Sequence, residues 1–175
     1  MTGKAAERPV FRDLWDGESE ELLARNHTGR LAYAFKDRVG ITPLHYVFSD
    51  GWIYGRTGSE EPWKTIRSEA EDSKLAAILH NRWVAFEVDE VEGIFQWRSV
   101  VVRGALYMLS PDHPQDREPR EKAIELLRDL IPETLTEDDP TPFRDLFFRI
   151  QIQEMSGREA RSTPAAKNPA NAQQS

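Results

Sequence analysis

The sequence predicts a mainly β, α+β protein, an antiparallel sheet closed into a small barrel with helices packed outside. Three observations carry this. Apolar and polar residues alternate in a series of short runs. The runs meet at turn signals such as Asp50-Gly51 and Glu92-Gly93, so the strands come in hairpins with few helices between them. A glycine, Gly104, interrupts the long β-type run from Phe95 to Leu109, as the bulge or bend of a barrel strand requires.

The elements follow in order. Residues 1–12 are polar and are expected to form a flexible segment before a domain over 13–158. Leu14, Leu22 and Leu23 near helical spacing, with Ser19 as an N-cap, predict a short helix over 18–26. Strands are expected over 29–35, 39–49 and 51–57, the last two joined by the Asp50-Gly51 hairpin. Pro62 fits the first turn of a helix, and Trp63, Ile66, Arg67 and Ala70 share one face; one long helix or two short ones cover 62–80. Strands return over 82–91 and 95–109. Ala123, Leu126, Leu127 and Leu130 mark a helix over 120–130. The acidic, proline-rich stretch 132–142 is expected to be loop, and 146–153 a final alternating strand. The polar residues 159–175 have no periodicity and are expected to be a disordered tail.

Composition bounds the function. With 175 residues, 39% hydrophobic and 30% charged, the chain suits one soluble domain with its own core. No apolar run reaches the ~20 residues of a bilayer span, and residues 1–9 lack a signal-peptide stretch. Cysteine is absent, which excludes disulfides, thiolate catalysis and cysteine metal sites and makes a reducing cytoplasm the expected location. The net charge of −7 argues against non-specific nucleic-acid binding. A small-molecule substrate is expected, with no nucleic-acid or membrane partner. An anionic ligand would need a local cluster of donors working against the global field.

Such a cluster stands between Ile41 and Lys64. The hairpin strand ends in Arg56-Thr57-Gly58-Ser59, and Lys64 follows at the start of the expected helix. Backbone N–H groups, hydroxyl donors and a cation within so short a span can hold a phosphate. Each residue also has an ordinary reading. Lys64 would otherwise be a solvated lysine on a helix face. Arg56 could equally pair with Glu60 or Glu61 at the surface. Thr57 and Ser59 are common turn residues, and Gly58 could serve only a positive φ. The four histidines, His27, His45, His80 and His113, are scattered without ligand spacing, so no metal is expected. No nucleophile motif surrounds any serine. Trp63 and Trp97 suit core or interface packing as well as ligand contact. Glu87 and Asp89 share one face of a strand, normally the solvent side.

Taken together, several stretches resemble the flavin-binding split-barrel family of the pyridoxamine 5'-phosphate oxidases, nearest its nitroimidazole-reductase-like branch. They are Gly29-Arg30-Leu31-Ala32, Pro43-Leu44-His45-Tyr46-Val47 with Asp50-Gly51, and Ile53-Tyr54 through Thr57 to Lys64. The match continues with Val84 to Asp89, Trp97 to Gly104, Glu121-Lys122, Ile150-Gln151-Ile152 and Met155-Ser156-Gly157-Arg158. Where that branch carries a histidine before the phosphate loop, this chain has Arg56, and its loop from Gly58 to Trp63 is longer and more acidic. The resemblance implies a six-stranded antiparallel split barrel that forms a homodimer with FMN at the interface. Pro43, Leu44, His45 and Tyr46 would run beside the ring and ribityl chain. Arg56, Thr57, Ser59 and Lys64 would hold the phosphate. Trp97, Arg98 and Ser99 would reach the same flavin from the partner subunit. The activity implied is an FMN-dependent oxidoreductase passing hydride between flavin N5 and a small organic substrate. The alternatives are an F420-dependent reductase of the same fold and a non-catalytic flavin- or haem-binding module. No residue is assigned as catalytic.

Overall fold

The computed structural model describes residues 8–35, 38–58 and 82–163. The expected helix over 62–80, together with Ser59 and Lys64, lies outside the described residues. The elements are β1 (Arg8–Asp13), α1 (Asp16–Arg25), β2 (Thr28–Phe35), β3 (Arg38–Ser49), β4 (Trp52–Thr57), β5 (Trp83–Gly93), β6 (Gln96–Leu109), α2 (Arg117–Leu130) and β7 (Leu146–Thr163).

All the pairings among these strands are antiparallel, in the order β1-β7-β4-β3-β2-β5-β6, and β6 pairs again with β7. That last pairing closes β2 to β7 into a six-stranded barrel, which removes the open edges of the sheet. The β1 strand is an addition outside it. The Asp50-Gly51 turn has φ of 51° and 76°, the left-handed pair that lets a two-residue hairpin follow the strand twist. The register shifts between Arg103 and Gly104, where the facing β7 carries the extra residue Gln153, so a bulge of the partner strand gives the irregularity expected at that glycine. A Cβ there would sit 2.1 Å from the Gln151 carbonyl oxygen, so only glycine lets β6 approach β7 so closely.

Two clusters hold the fold. Inward residues of every barrel strand, including Leu31, Leu44, Tyr46, Ile53, Phe86, Val100, Val102, Phe148 and Ile150, fill the interior, and α1 adds Leu22 and Leu23. Tyr46 donates to the Leu23 carbonyl at 2.7 Å, which satisfies the one polar atom of a fully buried ring. On the outside, α2 packs Ala123 and Leu127 against Tyr54, Leu109 and Phe147. The N-cap of α1 is Trp15 rather than Ser19, and Glu18 accepts from the Trp15 main-chain N–H. Ser19 is buried instead, its Oγ beside Gly157.

Residues 8–12, expected within the flexible segment, and 159–163, expected within the tail, form strands. Residues 8–13 pair in register with 158–163, so β7 runs well beyond the expected end at 153. Pairing with β6 carries the strand as far as Ala160, and a buried charge adds to it. Glu159 is buried and accepts from Arg12, Arg98 and Arg161. Burial works to raise the Glu159 carboxyl, but the three guanidinium groups prevail and hold it below the ordinary glutamate value. Among the described residues no helix is long and apolar enough to cross a membrane.

Candidate functional site

Strand alternation sorts the expected site residues onto different surfaces. Leu44 and Tyr46 turn into the barrel core, so they offer the outside only main-chain groups. Pro43 and His45 face outward and are exposed, and Thr28 Oγ1 lies 3.4 Å from His45 Nδ1. The register carries this outer face across the sheet. Pro43 stands opposite Arg30, Arg30 opposite Glu87, and Glu87 opposite Val101. Arg30 bridges Glu87 and Asp89 at 2.8 and 2.7 Å, and Glu87 also accepts from Ser99. These acids therefore sit in an ion-pair network on the outer face. The next acid, Glu90, is held by Arg25 and Asn26, whose hydrogen bonds lower its carboxyl to about 2.

Trp97 and Ser99 lie on the same outer face as Pro43 and His45, at its other edge. With Val101, Met155 and Arg158 they line a groove of about 700 Å³. The β3 edge and this groove are three strand spacings apart, about 14 Å. Arg98 points the opposite way and pairs with Glu159 at 3.0 Å. The face also carries apolar side chains uncovered by any described helix, with Val39, Ile41, Trp83 and Val91 between 60% and 81% exposed, beside the exposed Arg103.

The end of β4 is where the barrel opens. The β3–β4 ladder stops at Tyr46–Gly55, while β4 stays paired to β7 through Thr57–Leu146. Beyond Gly55 the two strands are no longer paired; this end of the ladder, with Pro43 to His45 on one side and the buried Arg56 to Gly58 on the other, forms the mouth of the split. Gly58 is hemmed in by the opposite segment, because a Cβ there would meet the Phe143 carbonyl oxygen at 2.9 Å.

Arg56 and Thr57 behave differently at this mouth. Arg56 is 4% exposed and faces the 131–145 segment rather than the surface. Its Nη1 and Nη2 form a two-pronged pair with the Asp139 carboxylate at 2.6 and 2.7 Å. Nη2 also donates to Thr141 Oγ1 at 2.8 Å. Asp139 further accepts from the Leu135 and Thr141 main-chain N–H groups. The Arg56 hydrogen bonds first, then these amides, hold the carboxyl well below the usual range against the opposing effect of burial. Thr57 has the opposite character. It is 3% exposed, yet its Oγ1 has no hydrogen-bond partner. A buried hydroxyl left unpaired costs roughly 1–3 kcal/mol, and such groups call for an explanation. A ligand oxygen in the mouth would supply one.

Sequence reasoning passed over Asp139 and Arg144. Arg144 is half-buried, donates from Nη2 to the Pro43 carbonyl at 3.1 Å, and has a buried Nε without a partner. Asp139 lies in a stretch whose composition reads only as loop, and Arg144 borders a strand. No local pattern marks either. No group of three potential metal ligands occurs among the described residues.

Comparison with known proteins gives the same architecture. A FAD-binding protein from Mesorhizobium loti is 29% identical, with a TM-score of 0.60 over 85% of this chain and 97% of that one. The FAD binding protein from Mycobacterium smegmatis is 22% identical, with a TM-score of 0.53 over 84% and 98%. The flavocytochrome Anf3 from Azotobacter vinelandii is 14% identical, with a TM-score of 0.56 over 90% and 73%. The last two share the fold. No curated protein matches the chain. The sequence profile of the pyridoxamine 5'-phosphate oxidase family matches residues 16–159, from the first turn of α1 to the buried Glu159. With the closed six-stranded barrel and its split at β4, this shows that the chain belongs to the pyridoxamine 5'-phosphate oxidase family.

Proposed function

We propose that this protein is an FMN-dependent oxidoreductase that works as a homodimer on a small organic substrate. The observation that carries the reading is the buried, unpartnered Thr57 hydroxyl at the mouth between β3 and β4. A phosphate oxygen there would restore a hydrogen bond that the protein alone leaves unmade. The sequence places Ser59 and Lys64 just beyond, adding a hydroxyl and a cation to the same anion. Family membership and the FAD-binding relative from Mesorhizobium loti favour a flavin.

The uncovered apolar outer face supports the dimer. Val39, Ile41 and Trp83 form a surface that a monomer would leave in water. Closing it on a second copy would set the Trp97–Ser99 groove of one subunit against the Pro43–His45 edge of its partner. A bound flavin would supply two-electron redox chemistry. The chain's own part is to orient the ring against the outer face of β3, to offer donors from Thr57 and His45, and to exclude water between subunits.

The test is titration of the purified protein with FMN, FAD, F420 and haem, followed by anaerobic reduction with NADH or NADPH. The reading expects saturable FMN binding and bleaching of its visible band. Preference for F420 would move the assignment to the deazaflavin reductases. A bound flavin that no donor reduces would make the protein a binding module. Lys64→Ala should weaken FMN by about 1.5–3 kcal/mol, the worth of a charge-assisted hydrogen bond.

A further inference from the structure

We infer that Arg144 is the cation that receives the ligand's anionic group at the β3–β4 mouth, and that Arg56 and Asp139 are positioning residues that hold it there. This rests on the phosphate reading of that mouth and changes which arginine serves it. The two arginines are in opposite states. Arg56 is fully engaged, with both terminal nitrogens on Asp139 and a further bond to Thr141. It cannot turn to a ligand without leaving a buried carboxylate unpaired. Arg144 has no carboxylate partner among the described residues. One terminal nitrogen holds the Pro43 carbonyl, and its Nε is buried with nothing to donate to.

Position agrees with this. Arg144 belongs to the segment that enters β7 at Leu146, the residue opposite Thr57. Its neighbour Phe143 lies against Gly58. From there its side chain reaches to Pro43 on β3, so it crosses the gap where the β3–β4 ladder has ended. The unpartnered Nε of Arg144 and the unpartnered hydroxyl of Thr57 thus both lie beside the end of the β3–β4 ladder. A guanidinium and a hydroxyl suit a phosphate monoester, since both donate to its oxygens and the guanidinium offsets its charge.

The Arg56–Asp139 pair fixes the placement. Asp139 gathers Arg56, Leu135 N–H and Thr141 N–H onto one carboxylate. The Arg144 carbonyl also accepts from Arg56 Nη1 at 3.4 Å. The acidic 131–145 segment is thereby pinned to β4, and Arg144 is delivered to the mouth with its backbone already held. An arginine prepositioned in this way loses less freedom when the anion arrives.

The experiment compares FMN with riboflavin, which lacks the phosphate, by fluorescence quenching. The variants are Arg144→Gln, Arg144→Lys and Asp139→Asn, each with its melting temperature measured. Arg144→Gln should weaken FMN about tenfold to a hundredfold, the equivalent of one charge-assisted hydrogen bond, and leave riboflavin unchanged. Arg144→Lys should recover part of that loss. Asp139→Asn should weaken FMN selectively with residue 144 intact. If wild-type protein binds FMN but Arg144→Gln binds it equally well, Arg144 is not the ligand and the flavin reading stands. If FMN and riboflavin weaken together with a lower melting temperature, the role is only structural and the inference fails. If wild-type protein binds neither, the flavin reading itself falls.

Discussion

Thr57 and Asp139 represent two ways to bury a polar group. Asp139 has every lone pair matched to a donor, whereas Thr57 Oγ1 has none. The two should respond to mutation with opposite signs. Thr57→Val removes an unsatisfied hydroxyl at nearly constant shape, so the flavin-free protein should be as stable as wild type or more so, by up to about 1 kcal/mol. The same variant should bind FMN more weakly. Urea denaturation and FMN titration check both halves, and a clear loss of apo stability would show that the hydroxyl is satisfied. Asp139→Ala leaves the Arg56 guanidinium buried and uncompensated, which should cost about 3–5 kcal/mol. The Asp139 carboxyl is lowered from its ordinary value of 3.8. Its contribution is therefore full above that value and drains away as pH falls toward the depressed one. Acid titration of stability should be shallower in Asp139→Asn than in wild type below pH 4. Such roles are not legible in sequence, because Arg56 and Asp139 stand 83 residues apart and meet only in the closed barrel.

The β1–β7 ribbon extends the edge of the barrel. Its strands hold each other through Arg8–Thr163 to Asp13–Arg158 and through the arginines around Glu159. β4 pairs with Leu146 to Gln151 only, whereas β6 pairs with β7 from Phe147 as far as Ala160, so only Arg161 to Thr163 rest on β1 alone. Deleting residues 1–13 should therefore speed amide exchange most over 161–163, which only β1 pairs, and leave 147–151 protected, as hydrogen-exchange mass spectrometry would show. Equal protection throughout would contradict this division. The barrel strands were legible because each buries one face and leaves an alternating pattern, as in Val84, Phe86 and Val88. The end of β7 was not. Ser156 to Thr163 offers no apolar alternation, and its strand form depends on a distant partner and a buried charge. The hairpin at Asp50-Gly51 and the close strand approach at Gly104 were legible because Asp-Gly suits a left-handed turn and Gly104 has no room for a Cβ. Gly104→Ala would press against the Gln151 carbonyl, so it should lower stability by about 1–3 kcal/mol.

For the whole molecule, the proposed site has two halves that one chain does not bring together. The β4 mouth with Thr57 and Arg144 is at one edge, and the Trp97–Ser99 groove is at the other. The apolar face between them carries Ile41 and Trp83, so Ile41→Asp should yield a monomer in sedimentation and abolish flavin binding at the same time. A folded monomer that still binds FMN would show that each subunit holds its own cofactor. On the proposed reading, a phosphorylated flavin completes the unpaired donors at this mouth. Equilibrium titration of wild-type protein with FMN and with riboflavin tests it most directly. Saturation at one FMN per chain, with riboflavin bound at least tenfold more weakly, is the predicted result. Equal affinity for the two, or no saturable binding of either, would contradict it.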